Sequence, residues 1–437
     1  MLPDVTLPAS LCALLAVFEP CFTAPSFRTF CALACGFWAQ TGRRTVCGML
    51  TGAGLSRTWA HHRAHYFFAR ARWNPDDLGL ALARLAVSLL AGAGDPVTVA
   101  IDDTLFRRTG KKVWAASWFH DGSAKGPRKT GYGNNWVIAG IVVTLPFCSR
   151  PVCLPVMFRL VVKGTNSASR LWLARRMTEA LAGALPGRAI RVVADAAYAG
   201  KELRGLDAAI SWTTRLRKDA ALYDLAPPRT GRRGRPRVRG PRLPALAAIA
   251  ATAAFTPVEV TRYRQAATVR AAALTCLWHT VFGPQQVQVV LIRDTATCGF
   301  DLALVTTDLH ASTAQVIERY AARWSIEVAI EDAKQILGAG QARNRVAGAV
   351  RRTLPFTLIC QTLAIIWYAT AGYHPGDVIA RRLDAPWYRT KTEPSTADMT
   401  AKLRRVLIAA RFQQPRPDQP TPSEIHAMRL AWETNAA

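Results

Sequence analysis

One segment, residues 320–334, carries side chains that could bind a metal ion or a phosphate, all on one side of a helix. Ser312 and Gln315 form a capping-box pattern before it and Gly338 follows it, so the sequence predicts one helix over 312–338. At about 100° per residue, five polar side chains share an arc of about 80° between apolar flanks: Tyr320, Arg323, Glu327, Glu331 and Lys334. A surface helix with spaced ion pairs would show the same pattern.

Two further acidic positions follow apolar runs that are typical of short strands. Residues 97–101 run into Asp102 and Asp103, and residues 189–194 run into Asp195. A strand fixes its backbone, so a carboxylate at its end is well placed to bind a metal ion, although Asp is also common at ordinary strand-to-turn junctions. Such carboxylates supply the oxygen ligands that Mg²⁺ prefers.

The spacing of the helix residues, Tyr-x2-Arg-x3-Glu-x6-Lys, resembles the signature of DDE transposases of bacterial insertion sequences, in the insertion-sequence-four superfamily. The resemblance implies that Glu327 is the third catalytic carboxylate. It also implies that Tyr320, Arg323 and Lys334 contact DNA phosphates near the cut end.

The two upstream acidic positions resemble the other motifs of this family. Asp102-x-Thr104 is similar to the first-aspartate motif, and an alignment one residue later would select Asp103, so both aspartates are candidate catalytic residues. Asp195-x2-Tyr198 resembles the second motif, with Ala-Ala in the middle where Arg-Gly is more frequent.

The resemblance implies an enzyme, a DDE transposase, that cleaves DNA at element ends and transfers the strand into target DNA. Asp102, Asp195 and Glu327 would hold two Mg²⁺ ions, for which Mn²⁺ could substitute. Two ions roughly 3.5–4 Å apart can activate the nucleophile and stabilise the leaving group. Two other classes stay open: a DNA-binding protein of transposase origin without catalysis, and a stand-alone ribonuclease H-like nuclease.

The order of elements between residues 97 and 195 is strand, strand, strand, helix, strand, with β-rich runs at 136–145 and 152–162 joined as a hairpin. The resemblance implies a ribonuclease H-like α/β core with this order, interrupted by a β-rich insertion. The predicted regions are a helical DNA-binding region at 1–94, the first part of the core at 95–217, a basic loop and β-rich insertion at 218–286, the second part of the core at 287–345, and a helical C-terminal region at 346–437.

A basic loop inside the predicted insertion could contact DNA. Residues 227–244 contain seven Arg, five Pro and three Gly. Within them Arg233-Gly234-Arg235-Pro236 resembles an AT-hook core, which lies in the narrow minor groove of A·T-rich DNA. A loop that touches phosphates without reading sequence is the simpler interpretation.

A second basic stretch lies in the N-terminal region. Residues 59–73 interleave aromatic side chains with Arg63 and Arg70, a composition that suits a helix on DNA. His61 and His65 have the i, i+4 spacing of a zinc pair, but the neighbouring sequence supplies no clear further ligands.

The composition and net charge of the chain indicate what kind of partner it binds. The chain of 437 residues has a net charge of +27 and a pI near 10.5, which predicts a polyanionic partner. We expect double-stranded DNA, both element ends and target, bound by a homodimer in the bacterial cytoplasm and associated with the nucleoid. Ten cysteines without a CxxC pair favour buried thiols in a reducing cytosol. The uncharged stretch 354–373 is predicted to be a buried core helix, and we expect no membrane partner.

Overall fold

The computed structural model describes residues 7–411, apart from 123, 125–126, 128, 166–167, 229–235, 263–264 and 296–297, together with 422–423, 425–426 and 429. The candidate DNA contacts Arg233 and Arg235 therefore lie outside the described residues. The chain is a mixed α/β structure in which helices pack against one large sheet.

The sheet has ten strands. These are β1 Val97–Arg107, β2 Ser117–His120, β3 Thr130–Val143, β4 Val152–Leu160, β5 Ile190–Ala194, β6 Ile210–Arg215, β7 Thr256–Arg262, β8 Gln265–Leu277, β9 Gln286–Arg293 and β10 Leu302–Thr306. Their order is β2-β3-β1-β5-β6-β10-β9-β8-β7, with β4 paired to β3. The predicted hairpin is confirmed as the antiparallel pair β3–β4, whereas β5 runs parallel to both β1 and β6.

Helices pack against the sheet and make up most of the described chain before β1 and after β10. They are α1 Ala9–Ala16, α2 Ala24–Ala39, α3 Val46–Gly52, α4 His61–Ala69, α5 Pro75–Leu90, α6 Arg170–Ala184, α7 Leu246–Thr252, α8 His279–Phe282, α9 Thr313–Ala322, α10 Trp324–Gln335, α11 Ala347–Trp367, α12 Asp377–Asp384 and α13 Thr396–Arg411. Ser169 caps α6 by accepting the backbone amide of Trp172, and Ser312 and Gln315 form the predicted capping box of α9.

Strand β1 is longer than the sequence predicts. The expected strand ends at Ile101, which would place Asp102 and Asp103 just beyond it. Instead β1 continues to Arg107, because β3 pairs with it along that whole length. The parallel pairing with β5 does stop at Ile101, opposite Ala194. Asp102 therefore lies where one neighbour of β1 ends and the other continues.

The helix predicted over 312–338 is instead two helices. Arg323 stands between α9 and α10 with a φ of −52° and a ψ of −36°. The amides of Arg323 and Ile326 there bond to carbonyls three residues earlier, the tighter 3₁₀ pattern. Helix α9 packs against β7, β8 and β10, whereas α10 packs against β1 and β4. Helix α10 ends at Gln335, before Gly338.

The strands of the predicted insertion belong to the central sheet. Strand β10 pairs antiparallel with β6 and with β9, and β8 and β7 follow as a continuous antiparallel ladder. Val260, Val290 and Leu304 from this ladder pack against Val316 and Ile317 of α9. The insertion thus extends the sheet on the side away from β3 and supports the helix that leads into α10.

One hydrophobic core joins the terminal helices to the sheet. Trp38 of α2 donates its indole hydrogen to the carbonyl of Cys360 in α11 at 3.0 Å, and Nε of Arg404 in α13 donates to the Trp38 carbonyl at 3.0 Å. Trp367 of α11 donates to the hydroxyl of Ser10 in α1 at 3.1 Å. The N-terminal helices α1 and α2 therefore pack against α11 and α13, far along the chain.

Helix α11 is the central helix of this core. With the π-helical turn that follows it, Ala347–Gly372 is long and apolar enough to cross a membrane, but 83% of its apolar window is buried inside the protein. Gln361 donates to the carbonyl of Ala329 at 2.9 Å, and Thr362 donates to the carbonyl of Pro155 at 2.8 Å. The predicted buried core helix is confirmed.

Candidate active site

Strand β1 separates the two candidate first aspartates. Successive side chains of a strand point to opposite faces of the sheet, so Asp102 shares a face with Thr104, and Asp103 points to the other face. Helix α10 packs on the first face and α6 on the second. Asp102 and Asp103 therefore have different surroundings.

The Asp103 carboxylate is held by three side chains. Its Oδ1 accepts a hydrogen bond from the Tyr198 hydroxyl at 3.2 Å. Its Oδ2 accepts one from Nδ2 of Asn135 at 2.9 Å and pairs with Nε of Arg170 at 2.9 Å. Burial and the nearby carboxylates raise the pKa of Tyr198 well above its ordinary value, so that hydroxyl remains a donor. Both oxygens of Asp103 are thus engaged by protein groups.

The Asp102 carboxylate is poorly compensated. Its Oδ1 accepts the backbone amide of Asp103 at 2.8 Å, and its Oδ2 lies 3.8 Å from Nη1 of Arg323, beyond hydrogen-bond distance. Burial raises the pKa of Asp102 to about 7, the Asp103 amide and Arg323 offset part of that rise, and Asp195 adds to it. The charges of Asp102 and Asp195 therefore interact, as expected for the adjacent ends of β1 and β5.

The neighbouring strand fixes the backbone of Asp195, which directly follows β5. Its carbonyl accepts a hydrogen bond from the hydroxyl of Thr214 in β6 at 2.6 Å. Its own Oδ1 accepts the backbone amide of Ala197 at 2.8 Å, the geometry of a short turn after the strand. The half-buried carboxylate is thereby held beside Asp102.

Arg323 places a guanidinium between two predicted catalytic carboxylates. Its Nη2 donates to Oε1 of Glu327 at 2.7 Å, while its Nη1 faces Asp102. Its Nε is buried and has no hydrogen-bond partner within the described part of the chain. Among the described residues, Asp102, Asp195 and Glu327 do not all bring ligand atoms within 4.8 Å of one another. The guanidinium acts as a counter-ion in this arrangement.

Lys334 and Tyr320 extend the site on either side of Arg323. Nζ of Lys334 donates to the hydroxyl of Thr104 at 2.5 Å, and burial lowers the pKa of the ammonium. The Arg323 guanidinium lies 5.7 Å from the Tyr320 ring centre. Burial raises the pKa of Tyr320, and the Asp195 charge raises it further. Arg323 and Lys334 of the spacing pattern therefore lie on the Asp102 face, the charge of Asp195 acts on Tyr320, and Glu327 is linked to Asp102 through Arg323.

Other residues predicted to contact ligand stand apart from this site. Glu331 is exposed, and its Oε1 accepts a hydrogen bond from Nε2 of Gln335 at 2.8 Å. In the N-terminal region, Nε of Arg63 donates to the Thr29 hydroxyl at 3.2 Å and its guanidinium stacks 3.6 Å from the Trp59 ring centre. Arg70 is exposed immediately after α4. Arg63 is thus engaged in packing, whereas Arg70 faces solvent.

The donor set fits a hard divalent cation. Asp102, Asp195 and Glu327 offer carboxylate oxygens, the ligands that Mg²⁺ prefers. Burial is the main cause of the raised pKa of Asp102, and a bound cation would favour the ionised carboxylate. These three residues would hold such a cation.

Sequence reasoning missed the side chains that position the site. Asn135 belongs to a Gly- and Asn-rich stretch, residues 131–135, whose composition is typical of a turn, yet it is buried within β3. Arg170 is the first residue of α6, far from β1 in the chain. The sequence signal for these partners is the pair Asn134-Asn135 just before a long apolar run. If the run is a buried strand, the two amides are buried with it and must form hydrogen bonds to other side chains.

A partly buried acidic site on a mixed sheet, flanked by an arginine and a lysine, has the make-up of an enzyme that transfers phosphoryl groups with divalent metal ions. The DDE superfamily endonuclease family matches residues 17–281, and the chain belongs to this family. The matched segment contains Asp102, Asp103 and Asp195. Enzymes of this superfamily use divalent metal ions. The predicted DDE enzyme is confirmed at the level of the family, which supports the predicted transposase function.

No curated protein matches the chain. Among solved structures, the chain is similar to a piggyBac transposase in a synaptic complex with hairpin DNA, determined by cryo-electron microscopy. The two share 10% sequence identity with a TM-score of 0.41, over 98% of this chain and 82% of that chain.

Proposed function

We propose that the protein is a transposase of the insertion-sequence-four type that cleaves DNA at element ends and joins the freed strand to target DNA. One observation carries the proposal: Arg323 and Lys334 of the spacing pattern reach the face of β1 that carries Asp102 and Thr104, where the charge of Asp195 also acts on Asp102. The succession of strands supports a ribonuclease H-like core. Strands β1, β3 and β4 are antiparallel neighbours, and β5 and β6 follow on the other side of β1 in parallel, with α6 between β4 and β5.

Asp102, Asp195 and Glu327 would hold two Mg²⁺ ions, with Mn²⁺ as a substitute. When bound, such ions activate the attacking oxygen and stabilise the leaving oxygen of a phosphodiester. Asp102 is favoured over Asp103 as the first ligand because both Asp103 oxygens are taken by Tyr198, Asn135 and Arg170. Asp103 then acts as a positioning residue that fixes β1 from the opposite face.

The basic residues of the site would bind the DNA backbone. Arg323 could release Glu327 and bind a phosphate oxygen instead, because a planar guanidinium matches the geometry of both carboxylate and phosphate. Its Nε also lacks a hydrogen-bond partner among the described residues and is free to donate to the phosphate. That exchange would free Glu327 for its role as a ligand. Lys334, held by Thr104 on the Asp102 face, would contact the neighbouring phosphate, and the Tyr320 hydroxyl would orient the end.

Net charge supports the proposed partner and location. A charge of +27 favours a polyanion such as double-stranded DNA, both element ends and target. We infer a homodimer in the DNA complex, since a transposase must act on two ends, and association with the nucleoid in the cytoplasm. No membrane partner is proposed, because the one candidate span in the described chain is buried in the core.

The test uses DNA that carries the ends flanking the coding sequence, incubated with the full chain, Mg²⁺ and a target plasmid. Cleavage followed by joining of the 3′ end supports the proposal. Cleavage without joining would instead identify a stand-alone nuclease, and binding without either reaction a DNA-binding protein.

Two variants, each with one carboxylate changed to an amide, separate the ligand role of Glu327 from the positioning role of Asp103. Glu327→Gln should keep DNA binding and lose Mg²⁺-dependent cleavage, since it removes a ligand charge and preserves shape. Asp103→Asn should lower stability because it weakens the pairing with Arg170, and should leave cleavage per folded molecule within several-fold of wild type. Wild-type cutting by Glu327→Gln, or complete loss of cutting by folded Asp103→Asn, would contradict these assignments.

A further inference from the structure

Three side chains that could bind a transition metal lie close together on the N-terminal helices, which do not carry the acidic site. Cys47 lies in α3, and His61 and His65 lie one turn apart in α4. All three side chains are exposed, and their ligand atoms lie within 4.8 Å of one another. In the chain, Cys47 stands 14 residues before His61, so only the packing of α3 on α4 reveals that the histidine pair has a third ligand.

The distances between the three ligand atoms match one face of a tetrahedron around zinc. Sγ of Cys47 is 3.3 Å from Nε2 of His61 and 3.7 Å from Nε2 of His65, and the two Nε2 atoms are 3.1 Å apart. Zn–N bonds of about 2.0–2.1 Å and a Zn–S bond of about 2.3 Å at tetrahedral angles give N–N and N–S edges of about 3.3 Å and 3.6 Å. Each observed edge lies within a few tenths of an ångström of these values.

We propose that Cys47, His61 and His65 form a metal site that binds Zn²⁺, with the fourth position open to water or an outside ligand. The cluster points to this ion by its ligand types, since thiolate and imidazole select zinc over Mg²⁺. The same types distinguish this site from Asp102, Asp195 and Glu327, which present oxygen alone.

Hydrogen bonding alone explains the arrangement less well. Two Nε2 atoms and a thiol that face one another can share protons pairwise, but a metal satisfies all three lone pairs at once. Burial and the neighbouring His61 lower the pKa of His65, which favours the neutral imidazole that a metal requires. The site would pin α3 to α4 across the irregular segment 53–60.

Cobalt substitution of the full chain tests the proposal, because Co²⁺ in a tetrahedral thiolate site gives intense visible bands and a thiolate charge-transfer band. The protein is made without a histidine tag, stripped with chelator, loaded with Co²⁺ and passed over a sizing column in excess Mg²⁺. We expect one equivalent of retained Co²⁺ with both kinds of band, and displacement by Zn²⁺. Cys47→Ser should remove the charge-transfer band and weaken binding by more than the roughly 10–100-fold that loss of an outer-shell partner costs.

Two matched controls come from the same chain. Cys298 is also an exposed thiol and His62 is the exposed histidine between the proposed ligands, so Cys298→Ser and His62→Gln should retain cobalt and its spectrum. A chelator should lower the melting temperature of wild type and of these controls, and leave Cys47→Ser unchanged. No retained metal in folded wild type, or equal spectra in wild type and Cys47→Ser, would overturn the site. Retention that Glu327→Gln abolishes would assign the ion to the acidic site instead.

Discussion

Replacing Arg323 with alanine tests what the guanidinium does between Asp102 and Glu327. Its side chain is 13% exposed and that of Glu327 is 31% exposed, so the pair is partly shielded from water. If Arg323 is a counter-ion until DNA arrives, its removal leaves acidic groups together without a cation. We expect Arg323→Ala to lose stability in metal-free buffer and to regain much of it in Mg²⁺, which supplies the missing charge.

The size of the effect follows from the interactions that the alanine cannot make. A hydrogen bond to a charged group contributes about 1.5–3 kcal/mol, and desolvation of the guanidinium largely offsets the attraction to Asp102. A net destabilisation of about 1–3 kcal/mol would lower the Tm by only about 1–3 °C in a chain of 437 residues, since unfolding entropy grows with length. Removing a phosphate hydrogen bond worth about 1.5–3 kcal/mol would slow cleavage about 10- to 150-fold.

Both quantities are measured on one sample. Denaturant titration gives the free energy of unfolding in EDTA and in Mg²⁺, and cleavage of end-bearing DNA is normalised to folded protein. Arg323→Lys is the matched control, because it keeps the charge and removes the planar fork, so its stability should be nearer to wild type than its cleavage. A destabilisation that Mg²⁺ does not reverse, together with normal cleavage, would refute the phosphate role and leave a purely structural ion pair.

Three further changes have distinct expected outcomes. Lys334→Met should slow cleavage about tenfold or more without lowering the free energy of unfolding, because it removes a half-buried charge that contacts Thr104; parallel decreases of both would indicate a structural lysine. Gln in place of Arg233 and Arg235 should reduce the salt slope of DNA binding by about 0.9 for each phosphate that the loop no longer neutralises, and an unchanged slope would show that this loop faces away from DNA. Burial raises the pKa of Asp102 to about 7 from 3.8, so ionising it costs the folded chain stability as pH rises through that interval. In EDTA, Asp102→Asn should be more stable than wild type at about pH 8 and lose this advantage towards about pH 4; identical pH profiles would contradict the raised pKa.

Local patterns in the sequence predict most elements of the core. The apolar run at 302–306 has the composition of a short strand, and β10 begins and ends at those same residues. The hairpin follows from two β-rich runs on either side of a turn that is bounded by prolines. Ser312 and Gln315 cap α9 as expected, because the capping box depends on residues three apart. The candidate carboxylates are likewise predicted from residue type and spacing, and their catalytic role stays a prediction.

Features that depend on distant partners could not be predicted. Asp102 and Asp103 interrupt an apolar run, and only pairing with β3 shows that the strand continues past them. The break between α9 and α10 at Arg323 has no glycine or proline to mark it, and the two helices pack mainly against different strands. The choice between the aspartates also rests on distant residues, because Asn135 and Arg170 reach Asp103 from two other elements.

The packing of α2 against α11 and α13 has a consequence for shortened copies of the gene. Trp38 in α2 is bonded to Cys360 in α11 and to Arg404 in α13, which stand 322 and 366 residues further along the chain, and its helix buries its apolar face in the shared core. A truncated copy that encodes only residues 1–94 would expose that face and lack a stable fold. Such copies would not produce a DNA-binding fragment that competes with the intact protein. A copy shortened in this way would therefore not repress the activity of full-length copies.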